Sequence, residues 1–265
     1  MTPEDHAAAA ESLFAAEITG QQIGLLSILY PDMTLDDAYA VQRALVDKKK
    51  GIGRRIIGWK IGLTSRAMQD ALGIDTPDSG VLFDDMLFET GATIAQGRFI
   101  QPRIEAEIAF FMKSELTGAS TYQQVLDATD YVCPALEILD TRVLRADPET
   151  GVARKIVDTV SDNAANAGVV LGAQKHFPNA ADMRWAGAIV KRNGVVEETG
   201  LGAGVLDDPV TSMVWLTERL ESYGMTIRAG DIVLSGSFIR PIEARSGHDF
   251  YADFGSFGDV RLCFA

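Results

Sequence analysis

The sequence predicts an α+β fold in which an α-helical N-terminal layer packs on a mixed β core. Three observations predict it. Two segments before residue 52 carry helix-capping residues and a helical spacing of apolar side chains. From residue 81 onward the apolar residues fall into short alternating runs, the period of β-strands. An Asn193-Gly194 pair between the runs AGAIVKR and VVEETG marks a tight hairpin. The implied division is a mainly helical region over residues 1–80 and a mixed β catalytic core over 81–265.

Residues 2–18 read as a helix. Thr2 is placed to cap it, Pro3 fits the first helical position, and Glu4 and Asp5 favour its positive end. A second helix runs from about Thr34 to Lys50, with Asp37 three residues after the cap and Gly51 as the stop. Leu35, Ala38, Leu45 and Val46 share one face of it. A strand follows over 56–63, then a short helix from Ser65 to Leu72 that ends at Gly73. Strand-like runs occupy 81–112 and 131–140. Asp208-Pro209 opens a helix ending near Gly224, and the tail from Ile232 to Phe264 alternates again between glycines. There is no internal repeat and no low-complexity stretch.

Composition narrows the function. A chain of 265 residues with 47% hydrophobic and 23% charged residues buries a sizeable core. Its net charge of −13 repels nucleic acid and anionic membranes, so neither is expected as a partner. A small anionic substrate remains compatible, because a bound Mg²⁺ or a few Arg residues invert the charge inside a cleft. No run approaches the ~18 apolar residues of a membrane span, and the N-terminus MTPEDHAAAAESLF lacks a basic leader. The expected location is the cytoplasm. Cys133 and Cys263 stand far apart in apolar settings and read as small buried hydrophobes.

The chemistry concentrates in a few residues. In IEAEIAF, strand alternation puts Ile104, Ala106, Ile108 and Phe110 on one face and Glu105 and Glu107 on the other. Two carboxylates about 7 Å apart on one strand face repel unless a cation neutralises them. Taken alone, the pattern equally fits a solvated strand face. Glu137 changes that balance: it sits among Pro134, Ala135, Leu136, Ile138 and Leu139, where a carboxylate needs a metal or a partner such as Arg142. Three carboxylates with positions left for water or substrate suit Mg²⁺ or Mn²⁺. Lys60, between glycines and large apolar residues in GWKIGLTS, is either an active-site ammonium or an edge-strand lysine reaching water. Asp78 in DTPDSG reads as a turn former, and Ser161, Asp162, Asn163 and Asn166 as caps or a polar pocket wall. The three histidines, at 6, 176 and 248, make no metal spacing, and GLGAGV (200–205) precedes no helix, so it is no dinucleotide loop.

GWKIGLTS, TPDSGVLFDDM, PRIEAEIAF, PALEILDTR and VSDNAANAG occur in this order from about residue 30 to the C-terminus. Together they resemble the 2-hydroxypentadienoate hydratase and 4-oxalocrotonate decarboxylase family of the fumarylacetoacetate hydrolase superfamily. The stretches DPETGVARK, SDNAANAGVVLG and SGSFIRP resemble its dicarboxylate branch, which hydrates a 2-oxo-heptenedioate in aromatic catabolism. The resemblance implies a partly rolled β core of the fumarylacetoacetate hydrolase C-terminal type and a homo-oligomer, often a pentamer or decamer. It implies a divalent metal held by Glu105, Glu107 and Glu137, with Lys60 and Asp78 lining the pocket as the acid–base pair. The decarboxylases tend to carry an apolar residue where this chain has Asp78, and hydration needs a proton-exchanging group there. Ser161 or nearby backbone N–H groups are expected to hold a substrate carboxylate. Arg240, ahead of Arg154 and Lys155, is expected to hold the far one, the alternative being that Arg240 makes a surface or subunit salt bridge.

The expected reaction is therefore metal-assisted addition of water to a 2-oxo acid, in its 2-hydroxydienoate form, to give a 4-hydroxy-2-oxo acid. The alternatives are a pentadienoate hydratase or a decarboxylase sharing metal and lysine, a C–C hydrolase, and a non-catalytic partner of a related enzyme. The hydrolase needs a His/Glu pair that activates water, and no histidine here stands near a motif.

Overall fold

The computed structural model describes every residue except 67, 68, 71–73 and 181. The N-terminal helices form where their caps place them. α1 (Pro3–Thr19) starts at a capping box in which Thr2 accepts the Asp5 N–H and Asp5 accepts the Thr2 N–H. A single turn, α2 (Leu26–Leu29), leads to α3 (Leu35–Gly51), where Thr34 and Asp37 build the same box. Each cap is worth about 1 kcal/mol. α3 ends one residue later than its first glycine suggests. Gly51 is still helical, and the left-handed residue is Gly53, at φ 91°. Ala38, Leu45 and Val46 are buried as their spacing implies, and Leu35 is half-buried. The short helix expected over 65–72 falls in part on residues outside the described set.

Thirteen strands follow among the described residues, with three helices between them. They are β1 (Ile56–Gly62), β2 (Asp78–Phe83), β3 (Leu87–Glu89), β4 (Ala92–Ile94), β5 (Arg103–Met112), β6 (Thr129–Leu139) and β7 (Asn166–Leu171). β8 (Gly187–Arg192), β9 (Val195–Leu201), β10 (Ile232–Leu234), β11 (Ile242–Glu243), β12 (Asp249–Asp253) and β13 (Asp259–Phe264) complete the set. The helices are α4 (Tyr122–Ala128) and α5 (Ile156–Ser161) before β7, and α6 (Pro209–Glu221) before β10. The larger sheet runs β2–β1–β10–β5–β6–β7–β3, with β11 on the end of β5. It is mixed, since β1–β10 and β3–β7 are parallel and the other pairs antiparallel. Its strands come from both sides of residue 80. The smaller sheet runs β4–β13–β12–β8–β9, and Asn193 and Gly194 (φ 52° and 79°) make the tight β8–β9 turn.

The main core lies between the two sheets. One face of the larger sheet supplies Trp59, Ile61, Ile104, Ala106, Ile108, Phe110, Leu136 and Ile138. These meet Val190, Phe250, Ala252, Val260 and Leu262 of the smaller sheet, with Val210, Met213 and Leu216 of α6. α6 begins as expected, with Asp208 accepting the Val210 N–H at 2.8 Å and Pro209 at its first position. The opposite face of the larger sheet carries a smaller apolar patch, Leu82, Ala109, Cys133, Ala135 and Leu234. That face holds the site.

Candidate active site

Strand register assembles the site. β5 and β6 pair so that Glu105 faces Glu137 and Glu107 faces Ala135. Period-2 alternation sends all three glutamates to the face away from the main core. Carboxylate oxygens of Glu105, Glu107 and Glu137 lie within 4.8 Å of one another. Glu107 and Glu137 are fully buried, and Glu105 is half-buried. On β1, Lys60 projects to the same face, with Nζ 3.4 Å from Glu137 Oε1. Asp78 opens β2 opposite Gly62. A Cβ at Gly62 would overlap the Asp78 carboxylate and come within 3.0 Å of Lys60 Nζ, so a glycine here lets both groups close in.

The neighbours of each group are equally local. Gly236, at φ 116°, points its N–H at Glu107 Oε2 at 2.8 Å. Tyr39 and Gln42 of α3 hold the Ser79 backbone beside Asp78, at 3.2 and 2.9 Å. On the outer side of β2, Asn163 accepts the Val81 N–H and donates to its carbonyl, at 2.8 and 2.9 Å. Asn163, Ala164 and Ala165 all have φ between 52° and 57°, a left-handed turn without a glycine. Such a turn costs on the order of 1 kcal/mol or more per residue. The hydrogen bonds to Val81 offset part of that, and the turn takes the place of a further strand at the β2 edge.

Burial raises the pKa of every acid in the cluster. Desolvation, then the neighbouring Glu137, pushes Glu105 up to about 8. Glu107 rises well above the carboxylate range through burial and through Glu137 and Glu105. Glu137 rises through burial against the pull of Lys60, and Asp78 through burial against Lys60 and Arg154. Burial pulls the Lys60 ammonium down, but Glu137, Asp78 and Glu105 outweigh it, so the net shift is upward and the group stays charged. Without a cation the carboxylates therefore hold protons in common.

The donor set fits a hard divalent cation. Glu107 Oε1, both Glu137 oxygens and Asp78 Oδ1 are buried without a hydrogen-bond partner among the described residues. Buried carboxylate oxygens normally have partners, because leaving one unsatisfied costs about 1–3 kcal/mol or more. Three oxygen donors converging on one point supply what Mg²⁺ or Mn²⁺ takes.

Other expected residues are differently occupied. Arg142, the alternative partner of Glu137, instead pairs with Asp162 at 2.5 Å and caps the Asp140 and Asn166 carbonyls. Asp78 is a strand residue and not a turn former. The Ser161 hydroxyl donates to the Val157 carbonyl one helical turn back, at 2.7 Å, so a substrate carboxylate would have to displace that bond. Arg240 is a surface residue, its side chain 77% exposed and ion-paired with Glu198 at 2.7 Å. Lys155 uses its backbone N–H to close α5 on Asp158. Arg154 alone of the three expected cations lies near the cluster, half-buried and within electrostatic reach of Asp78. Cys263 is half-buried and donates to Asp249 Oδ1, while Cys133 is buried as expected.

The sequence matches the fumarylacetoacetate (FAA) hydrolase C-terminal family over residues 58–263, which includes all five cluster residues. The chain belongs to the FAA hydrolase family. Within that family, it is 48% identical to the 2-oxo-hept-4-ene-1,7-dioate hydratase of Escherichia coli, over 98% of this chain and 97% of the relative. It is 41% identical to a 2-keto-4-pentenoate hydratase of Paraburkholderia xenovorans (strain LB400), over 100% of this chain and 96% of that one. The fold is shared with the 4-oxalocrotonate decarboxylase from Pseudomonas putida G7, solved with magnesium and adipate. That match has a TM-score of 0.93 at 31% identity, covering 100% of this chain and 99% of the other. The mixed rolled core and helical layer are thus those of the FAA hydrolase fold, and no described helix is long and apolar enough to cross a membrane.

Proposed function

We propose that this protein is a divalent-metal-dependent hydratase, a hydro-lyase, that adds water to a 2-oxo-heptenedioate to give a 4-hydroxy-2-oxo acid in aromatic catabolism. The observation that carries the proposal is the meeting of three carboxylates, with orphaned buried oxygens, and a Lys60–Asp78 pair on one sheet face. The chain's 48% identity to a hydratase of that substrate class supports it. A cation held by Glu105, Glu107 and Glu137, in our reading Mg²⁺ or else Mn²⁺, would supply Lewis acidity at the 2-oxo acid end of the substrate.

The chain's own groups manage the protons. Asp78, raised by burial, gives a proton to C5 of the dienol while the 2-hydroxyl releases its own proton to solvent, from which Asp78 is reprotonated at the end of the cycle; the product is the α,β-unsaturated 2-ketone. Water then adds its oxygen to C4, and one of its protons ends on C3, so the net change is one added H₂O. The Asp78 carboxylate accepts the proton the water loses and passes it on. Lys60 stays cationic and steadies the negative charge that gathers on the substrate oxygen and on Asp78. The 4-oxalocrotonate decarboxylase match favours a second reading, loss of CO₂ from a related acid on the same frame. Asp78 argues for hydration, because decarboxylation needs an electron sink and not a second proton exchanger.

The deciding experiment incubates the purified protein and Mg²⁺ with 2-hydroxydienoates that do or do not carry a distal carboxylate. Loss of dienol absorbance with no CO₂ released is the expected result; stoichiometric CO₂ would overturn hydration in favour of decarboxylation. The same proposal includes a homo-oligomer, a pentamer or decamer, working in the cytoplasm. Exposed Val195, Val196 and Leu201 on edge strand β9 offer apolar surface for assembly, and sedimentation velocity measures it.

A further inference from the structure

We propose that Arg103 and Arg154 form a preorganised anion subsite that holds the distal carboxylate of a dicarboxylate substrate; this rests on the hydratase reading above for where the other end of that substrate sits. Arg103 is the first residue of β5, so Arg103, Glu105 and Glu107 stand in one row on one face of the strand. Each step in that row is about 7 Å. A seven-carbon diacid spans six carbon–carbon bonds of about 1.5 Å, which zigzag to a similar reach. With its 2-oxo acid end at the three glutamates, the far end arrives beside Arg103.

Backbone contacts bring a second guanidinium to the same place. β11 pairs with β5 so that Glu243 faces Arg103. Glu243 takes the ion pair of Arg145, which also donates to the Gln101 carbonyl. The Arg154 N–H in turn bonds the Arg145 carbonyl at 2.9 Å. Three arginines therefore gather near Glu243, and Arg145 takes its ion pair. Neither Arg103 nor Arg154 has an acidic partner within 4.0 Å among the described residues, and the polar side-chain contact of Arg154 is Thr141 Oγ1, at 2.6 Å. Nearby Asp162 is already engaged by Arg142. Both unpaired side chains are half-buried, and burial together with the other arginines disfavours their charge. Desolvated cations held close without an ion-paired partner are an arrangement that a carboxylate relieves, and the guanidinium fork binds carboxylate in two-point fashion. Arg240, exposed and paired with Glu198, lacks these features.

The test measures binding by calorimetry in the presence of Mg²⁺, with two unreactive probes, 2-oxoheptanedioate and 2-oxoheptanoate. They share the metal-seeking end and differ only in the far carboxylate. The wild-type protein should bind the diacid at least tenfold more tightly, and Arg154→Met and Arg103→Met should each remove most of that preference while the monoacid binds as before. Arg154→Lys and Arg103→Lys should keep part of it, which separates lost charge from a damaged fold; Mg²⁺ titration and thermal unfolding check each variant. A wild-type protein without preference, or variants that weaken both probes equally, would overturn the subsite. Hydration is measured apart from binding: a preference retained by a protein that hydrates no dienoate would sink the hydratase reading and leave the subsite standing.

Discussion

The two faces of the larger sheet are buried by opposite means. Towards the smaller sheet, Ile104, Ala106, Ile108 and Phe110 of β5 join the apolar core and gain transfer free energy as they are covered. On the reverse face the same strand presents Glu105 and Glu107 to Glu137, Asp78 and Lys60. Four acids against one ammonium leave three negative charges unbalanced if all are ionised. Desolvation makes that arrangement costly, so in the absence of a cation the acids retain protons. The first face stabilises the fold without a ligand. In our reading the second is completed by a divalent ion and gains stability when that ion binds.

The largest effect should come from breaking one face and sparing the other. Glu107→Gln or Glu137→Gln is expected to lower Mg²⁺ affinity by more than ~100-fold, since changes in merely supporting residues already cost 10–100-fold. Activity should fall with it, while the ion-free Glu107→Gln variant unfolds at a temperature equal to or above the wild type, because a buried acid that is costly to ionise is gone, and Glu137→Gln, which also removes the Lys60 partner, loses some stability. Ile108→Ala should do the reverse, costing about 2–5 kcal/mol of stability with Mg²⁺ affinity nearly intact. Calorimetric metal titration and chemical denaturation read both. A glutamine variant that keeps full affinity in limiting Mg²⁺ would show that these carboxylates do not hold the ion.

Asp78→Asn comes next. The amide keeps size and position but exchanges no proton near neutral pH, so hydration should slow by ~10²–10⁴-fold. Metal binding should persist, since Asp78 stands outside the three-carboxylate group. Hydration at the wild-type rate would return Asp78 to a structural strand residue.

A smaller effect follows from the raised acids. Glu105 titrates at about 8 in the fold, against an ordinary value of 4.5, and Glu107 and Glu137 shift in the same direction. Between these limits the folded ion-free protein binds more protons than the unfolded chain, so its stability falls as pH rises from about 4.5 to 8. Mg²⁺ displaces those protons, and its affinity should climb over the same window. The unfolding temperature of ion-free protein should drop from pH 5 to pH 8, and added Mg²⁺ should raise it most at pH 8. An ion-free protein whose stability does not change over that window would contradict shared protons in the cluster.

Much of the second face was legible in the sequence because strands have period 2. Alternation alone placed Glu105 and Glu107 together, and the apolar neighbours of Glu137 marked it as a group that needed a partner. Partners distant in sequence were not legible. Arg142 was the obvious mate for Glu137, yet it pairs with Asp162, twenty positions on, and leaves Glu137 to Lys60. The turn at Asn163–Ala165 gave no signal, since two of its three left-handed residues are alanines and only the Asn163 bonds to Val81 account for it. Asp78 read as a turn because Pro77 and Gly80 flank it, whereas pairing with Gly62 makes it a strand residue. Arg103 was not singled out: an arginine at the start of a strand is ordinary, and its lack of an ion-pair partner is visible only in three dimensions.

The smallest expected effect concerns Arg240, the cation the sequence favoured for the distal carboxylate. Its position at the end of an apolar stretch before Pro241 suggested a pocket rim, but the side chain is 77% exposed and its partner is Glu198. Exposed ion pairs of this kind contribute roughly 0–1 kcal/mol, because water screens both charges and the long side chains lose freedom on pairing. Arg240→Met should therefore leave kcat/KM within about twofold for a dicarboxylate and for a monocarboxylate dienoate alike. Arg154→Met, on the buried face, should lower only the dicarboxylate value, by roughly tenfold, or ~1.4 kcal/mol. The two variants measured side by side on the two substrates set a surface cation against a buried one of the same chemistry. A selective tenfold loss at Arg240, with none at Arg154, would move the distal subsite to the protein surface.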